Sequence, residues 1–547
     1  MVGSVDVINL AERRDRAAAD LQWEPQRERG LLARWWRYAA IFLLVVGVAF
    51  RFTNLEQKVV WVDETHTLLR SSGYRRTEAI NQLYTGEVVS VKDLLVYQRP
   101  RPKRGWSKTW RALRGNAEHT PLYFLLVRAW MEWWGSSIAT VRSLSAVISL
   151  LVFPAVFWLC QELFASATVA WTAVGLMAIS PLQVLYAQEA RPYSLLIVIT
   201  LVSSTVLLRA LRTNTRRNWV IYSVMLAVGL YTQLLFGLVA IAHTLYVMLL
   251  ERVGVKRQFT PIARTHLLAT GMGLAAFIPW LVVLIPNLEQ VRRATVSLRR
   301  SVPLTGMVQE WCLNLNRVFL YPEHLVIGMG LVALVGLALY QLCRTTPTRT
   351  WLLLFTLIGV FTLALVIPDV VTGGQRSLRI RYLIPAYVAM QIAVAYWLTR
   401  QALWLTTWKR YFWRLGLVGL LMGGIAACAV SAEAEVWWNK ELSRSSYFPP
   451  VAQVINAAEQ PLVITDDALV DSIAFSHELK PEVKFQFVKP KYLEKFQVDE
   501  DFQPIFLLNA SDQLRDTLQA RNYQLQLLYR DDNAREGLAE RLWLLTR

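Results

Sequence analysis

Residues 351–367 read Trp351-Leu-Leu-Leu-Phe-Thr-Leu-Ile-Gly-Val-Phe-Thr-Leu-Ala-Leu-Val-Ile367, 17 positions without a charge. As a helix this stretch is long enough to cross most of the roughly 30 Å of hydrocarbon in a bilayer. The window 138–159, with 22 positions, is also long enough. The chain as a whole, 547 residues with 54% hydrophobic content and 22 tryptophans, is too apolar for a soluble protein of its size. A membrane barrel would show ten-residue alternation, and none is present. The sequence therefore predicts a polytopic α-helical membrane protein. Its net charge of +18 is spread through short loops between apolar segments, which fits bilayer orientation and excludes a nucleic-acid partner. Cys160, Cys312, Cys343 and Cys428 are far apart and lack metal-ligand spacing, so neither a disulfide framework nor a zinc site is expected. Residues 1–30 are polar and of mixed charge, without a signal-peptide pattern, and the first span is expected to stay as an anchor.

Working outward, apolar segments fall at 38–52, 138–160, 166–186, 192–211, 218–232, 235–250, 265–285, 324–342, 350–368, 380–399 and 412–431, eleven in all. The stretch 121–134 is shorter, carries Arg128 and Glu132, and reads as a helix lying at the interface. Basic residues set the orientation, because short loops rich in Lys and Arg stay in the cytoplasm. Arg209, Arg212, Arg216 and Arg217 mark one such loop; Lys256, Arg257 and Arg264 a second; Arg344 and Arg349 a third; Arg400, Lys409, Arg410 and Arg414 a fourth. Two spans separate each from the next. This parity makes residues 1–37, with Arg34 and Arg37, a cytoplasmic tail, and puts the Gln161-Glu162 loop inside although it carries no basic residue. The transmembrane domain is then 38–431, with an external loop 53–137. That loop holds twelve basic residues between Lys58 and Arg114, which long loops tolerate outside and which an anionic ligand would explain. From 432 to 547 the character changes. Short apolar runs at 461–465, 483–488, 505–508, 524–529 and 541–545 read as strands, and 467–479 and 510–519 as helices, giving a small external α/β domain.

On this topology three charged clusters share the external face: Asp63-Glu64 after the first span, Glu189-Ala190-Arg191 before the fourth, and Arg376-Ser377-Leu378-Arg379-Ile380-Arg381-Tyr382 before the tenth. Ionisable groups at span ends are costly, and three clusters on one face point to a site there, against a background of ordinary interfacial snorkelling.

The same residues carry a resemblance. Trp61-Val62-Asp63-Glu64, His119-Thr120-Pro121-Leu122-Tyr123, Ser180-Pro181 followed by Tyr186-Ala-Gln-Glu-Ala-Arg-Pro-Tyr-Ser194, Leu230-Tyr231-Thr232-Gln233, and Arg381-Tyr382-Leu383-Ile384-Pro385 occur in an order that resembles the bacterial family 39 glycosyltransferases. These are C-type (GT-C) membrane enzymes related to protein O-mannosyltransferases and lipid A aminoarabinose transferases. Thr120 stands where that family commonly has proline, and Gln233 where histidine often follows Tyr-Thr. The resemblance implies transfer of a sugar from a polyprenyl-phosphate carrier to an acceptor nucleophile at the external face of a bacterial plasma membrane. The acceptor class stays open among protein, glycolipid and wall polymer. Attack on an anomeric carbon passes through an oxocarbenium-like state, so a carboxylate suits the base and charge stabiliser, and Asp63 is the candidate. The phosphate leaving group needs cationic clamping, for which Arg379 and Arg381 are candidates, with His119, Arg191 and Tyr382 as further substrate contacts. Glu64 is a second catalytic candidate, orienting the acceptor or holding Mg²⁺ or Mn²⁺ with Glu189; Glu189 can equally pair with Arg191. A lipid-linked oligosaccharide flippase, or an envelope polysaccharide polymerase or ligase, are the alternatives. The first would show repeats with mid-membrane charges, and the second would concentrate function in late loops.

Overall fold

All eleven apolar segments are helical in the computed structural model, which describes residues 30–252, 259–321, 323–404, 408–534 and 539–547. The expected cytoplasmic tail up to residue 29, the side chain of Arg34, and the loop residues Lys256 and Arg257 lie outside the described residues. Among the described residues, seven helices are long and apolar enough to cross a membrane by themselves, and eight if one bent pair counts as a span. The other three expected spans are the helices Arg216–Thr232, Phe236–Leu250 and Ile384–Trp404. The expected interfacial helix is Leu122–Trp134, whose terminal Trp133 and Trp134 stay exposed beside an Arg128–Glu132 pair.

The bent pair explains a residue that reads as the end of the first span. Helices Ala167–Ala178 and Pro181–Ala187 meet at 61°. Pro181 has no N–H to return to Met177, so carbonyls at the break lose their helical partners inside the bundle. Arg51, fully buried, supplies them: its guanidinium donates to the carbonyls of Met177 at 3.1 Å and Ala178 at 2.5 Å, and to Gly47 of its own helix at 2.7 Å. A sequence-level span boundary is thus a structural plug.

The Gln161-Glu162 loop lies beside two of the basic loops. Arg212 of the first basic loop donates to Glu162 at 2.9 and 3.2 Å, and Thr350 after the third donates to the Leu163 carbonyl at 3.0 Å. These contacts bring the first and third basic loops together at the Gln161-Glu162 end of the bundle.

The tail forms a mixed sheet of β1 (Val88–Ser90), β2 (Leu462–Thr465), β3 (Lys484–Phe487), β4 (Ile505–Leu508), β5 (Gln524–Arg530) and β6 (Glu540–Thr546), ordered β1-β3-β2-β4-β6-β5. Strands β3, β2 and β4 are parallel; β6 closes antiparallel on β4. The five strands expected in the tail are all present. The sixth, β1, comes from the loop 53–137 and pairs antiparallel with β3. The central strands are buried on both faces, as parallel strands read from continuous apolar runs should be. Leu462, Ile464, Ile505 and Leu507 pack on Leu514 and Leu518, whereas Val463, Phe485, Phe487 and Phe506 pack on Leu69, Tyr74, Leu83 and Leu94 of the first loop. Loop and tail therefore share one core. The helix Val62–Ser71 joins it to the bundle, with Leu68 in the bundle core and Leu69 in the sheet core.

Candidate active site

Asp63 and Glu64 open the helix Val62–Ser71, behind an extended Trp61 (φ −113°, ψ 173°). Acidic residues in a first turn complement the positive end of the helix dipole. Successive helical side chains diverge by about 100°, so the two carboxylates face different surroundings.

Asp63 faces a partly open site. Its Oδ2 lies 3.1 Å from Arg381 and 3.6 Å from Arg191, and its side chain is 24% exposed. Arg191 comes from the turn before the helix Tyr193–Thr213 and also donates to the Asp63 carbonyl at 3.2 Å and to Thr67 at 3.3 Å. Arg381, on the short turn Ile380–Tyr382, lies over the rings of Trp61 and Tyr382 at 5.6 and 5.7 Å. Burial would raise the Asp63 carboxyl, but Arg191 and Arg381 outweigh it and hold the group well below the usual carboxylate range. Two guanidiniums around one carboxylate leave an excess positive charge at the opening. His66 and His119 complete the electrostatic surroundings. Burial, then the neighbouring Arg70, pushes both imidazoles well below their ordinary value, so they are neutral donors or acceptors. Arg70 ties the helix to the His119 loop through Glu118 at 3.8 Å and Asn116 at 3.1 Å.

Glu64 faces a closed layer. Arg142 grips it bidentately at 2.8 and 2.7 Å, the Ala190 N–H donates at 3.0 Å, and the Lys440 ammonium donates at 2.8 Å. All of these groups are buried. Burial would raise this carboxyl too, but Arg142 and then Lys440 prevail and keep it well below the ordinary range. Glu189 lies against the same ammonium, 3.6 Å from Lys440 Nζ, with no hydrogen bond to either oxygen. Burial raises its carboxyl above the usual value, with Lys440 opposing.

The structure thus brings Asp63, Arg191, Arg381 and Tyr382 together, with His119 at the rim. Glu64 and Glu189 also meet, but behind this group, so Glu64 is a buried structural acid here and not an acceptor-facing one. Glu189 pairs with Lys440, where the sequence suggested Arg191. Arg379 turns away to Glu441 at 3.9 Å. A divalent cation between Glu64 and Glu189 does not fit these residues. Both Glu64 oxygens are taken, and the gap holds Lys440. Among the described residues no cluster of three or more His, Cys, Asp or Glu side chains is arranged to hold a metal. Sequence reading missed His66, Arg70, Arg142 and Lys440. Arg142 carried a usable signal, as a charge inside an apolar segment; Lys440, beyond the last span, carried none.

An apolar helical bundle whose first loop bears an acidic pair is closed at that end by a small α/β tail, and this fold is shared with solved structures. ArnT from Cupriavidus metallidurans bound to undecaprenyl phosphate is similar at 16% identity, covering 93% of this chain and 98% of that one with a TM-score of 0.54. Its apo state gives 16%, 92%, 97% and 0.52. At that identity the likeness is one of fold. The sequence family described as Dolichyl-phosphate-mannose-protein mannosyltransferase matches residues 118–283, from the His119 loop through the helix Pro261–Leu284. No curated protein matches the sequence.

Proposed function

We propose that this chain transfers a sugar from a polyprenyl-phosphate-linked donor to an acceptor hydroxyl or similar nucleophile, at the external face of a bacterial plasma membrane. The observation that carries the reading is the partly exposed Asp63 carboxylate between Arg191 and Arg381, with a positive excess at the opening. The undecaprenyl phosphate bound to the ArnT of similar fold supports the donor class. The first and third basic loops, which meet at the Gln161-Glu162 end of the bundle, support the external placement.

The acceptor oxygen attacks the anomeric carbon as the bond to the donor phosphate breaks, and Asp63 stabilises the positive charge on the sugar while taking the acceptor proton. A carboxylate held by two guanidiniums is a weak base. Arg381, exposed at 22%, has donors free to turn to the phosphate oxygens. As the donor phosphate draws Arg381 away, Asp63 loses a cation and gains basicity in the complex where it is needed. Developing charge on the leaving phosphate is met by the same guanidinium.

Purified chain assayed with a radiolabelled polyprenyl-phosphate sugar tests this. Asp63→Asn is expected to lower kcat by about 10²-fold or more, and Arg381→Ala chiefly to raise the donor KM. Undiminished transfer by Asp63→Asn overturns the assignment. Single cysteines at Arg293, 79% exposed, and Arg212, 52% exposed, test the orientation: the first should label from outside the cell, the second only after permeabilisation.

A further inference from the structure

The fold employs only some of the twelve basic residues between Lys58 and Arg114. Lys58 donates to the Ser431 carbonyl, Arg70 meets Glu118 at 3.8 Å, and Arg104 pairs with Glu78. Lys103, Arg111 and Arg114 are exposed and make no ion pair among the described residues. They lie on or just before the helix Trp106–Arg114, whose buried positions Thr109, Ala112 and Leu113 define its inner face. Thr109 there donates to the Ser71 carbonyl at 3.0 Å. At about 100° per residue, the outer face forms two rows: Trp106 and Trp110, both exposed, and beside them Ser107, Arg111 and Arg114. The helix is fixed at the end of a span. The Trp110 ring meets Trp280 edge-on at 5.7 Å, Trp280 Nε1 donates to the Ala117 carbonyl at 3.2 Å, and Gln290 donates to the Gly115 carbonyl at 2.8 Å. Trp280 is buried near the end of Pro261–Leu284, whose Leu274, Ile278 and Val282 are exposed apolar side chains of the kind that face hydrocarbon. Arg128 donates to the Arg104 carbonyl at 2.8 Å and so joins this segment to the interfacial helix Leu122–Trp134.

We propose that the outer face of Trp106–Arg114 is a docking surface for anionic phospholipid headgroups, in the leaflet on the side of the candidate site. Tryptophan settles at headgroup depth, with its ring body among acyl carbons and its N–H in the wet layer. At that depth an unpaired Lys or Arg stands among phosphates and is drawn to an anionic leaflet. Charge complementarity selects the occupant. A zwitterionic headgroup brings an ammonium with each phosphate, whereas phosphatidylglycerol presents the phosphate alone. Three unpaired cations on or beside a helix of 9 residues favour the second. The consequence reaches the candidate site. The chain leaves this helix through Gly115 and Asn116 to Glu118 and His119, and Asn116 and Glu118 hold Arg70 of the helix that opens with Asp63 and Glu64. A headgroup gripped at Trp106–Arg114 therefore sets the depth of Asp63 against the leaflet.

The surface does not depend on glycosyl transfer, and its test reads lipid contact alone. The full-length chain carrying Ser107→Cys and Cys343→Ser, its other cysteines being buried, is labelled with bimane. It is placed in phosphatidylcholine nanodiscs that hold equal small fractions of either nitroxide-labelled phosphatidylglycerol or nitroxide-labelled phosphatidylcholine. Quenching by the phosphatidylglycerol label should exceed that by the phosphatidylcholine label at least about threefold. The preference should vanish in Lys103→Gln/Arg111→Gln/Arg114→Gln, and also in high salt, which screens exposed charges. The salt arm leaves the basic residues in place, so it decides the matter where the triple variant does not fold. Equal quenching by the two lipids, no quenching by either, or a preference that survives high salt or the folded triple variant overturns the proposal. Polyprenyl phosphate added well below the fraction of phosphatidylglycerol should leave the quenching unchanged; relief of it would assign the surface to a prenyl-phosphate lipid and overturn the phospholipid assignment.

Discussion

Replacing Arg142 with methionine tests the anchor of the candidate catalytic helix most directly. All five guanidinium N–H donors are used: two on the Glu64 carboxylate at 2.8 and 2.7 Å, and three on the carbonyls of Leu55, Lys58 and Val59 at 2.8, 2.8 and 3.1 Å. The side chain is 1% exposed, so methionine fills most of the volume while every one of these partners loses its donor. Breaking a buried ion pair by removing one partner costs about 3–5 kcal/mol, and orphaned carbonyls add about 1–3 kcal/mol each where water cannot reach them. These contributions are not additive, but they set a floor of about 3 kcal/mol. Thermal unfolding of the purified chain in detergent, followed by tryptophan fluorescence, should show a Tm loss of several degrees for Arg142→Met and a smaller one for Arg142→Lys. A double-mutant cycle with Glu64→Gln should return a coupling of at least about 2 kcal/mol. A loss within about 1 kcal/mol of wild type, in the range of an exposed ion pair, would refute the claim that this network holds the helix.

Glu478, on the turn that follows the tail helix Leu469–Phe475, is pushed up to about 7 by burial and Glu435, against Arg142. The folded chain keeps a proton that the unfolded chain releases near pH 4.5, so stability is complete below that value and is lost as pH rises through about 7, by about 3 kcal/mol. Glu478→Gln should flatten the fall in Tm between about pH 5 and 8; parallel profiles would refute it. Gly47→Ala sets helix propensity, worth about 1 kcal/mol in favour of alanine, against overlap, because a Cβ there would run into the Ala178 carbonyl oxygen. The neighbour is backbone and already bonded to Arg51, so overlap should win and lower the Tm; a rise would show that the first helix can shift without cost.

The helical spans and the tail strands were legible because each follows from a local period: continuous apolar runs for the spans, and short buried runs for the parallel strands. What local reading could not supply was pairing across sequence. Strand β1 is three residues long and borders a basic loop, so nothing nearby marks it as the edge of a sheet almost 400 residues away. Arg51 reads as a span end because a charge after apolar residues usually is one. Its partners, the carbonyls freed by Pro181, belong to another helix. The 61° break was foreshadowed by Ser180-Pro181, but only the fold shows which side chain repairs it.

The acidic pair shows the same limit at the site. Read as neighbours, Asp63 and Glu64 invite placement in one site, Asp63 as the base and Glu64 orienting the acceptor or holding a metal with Glu189. Read as the first turn of a helix, they point about 100° apart and cannot converge on one small ligand. The surroundings follow from that divergence. The side toward the opening keeps two arginines for one acid, a positive excess suited to a phosphate. The side toward the bundle is dry and must balance: Arg142 and Lys440 stand against Glu64 and Glu189, because an unpaired charge there would cost several kcal/mol. The open group can afford an imbalance only because water screens it, and the closed group cannot. This difference in hydration is the physical reason that Asp63, the exposed member of the pair, is the one proposed as the base.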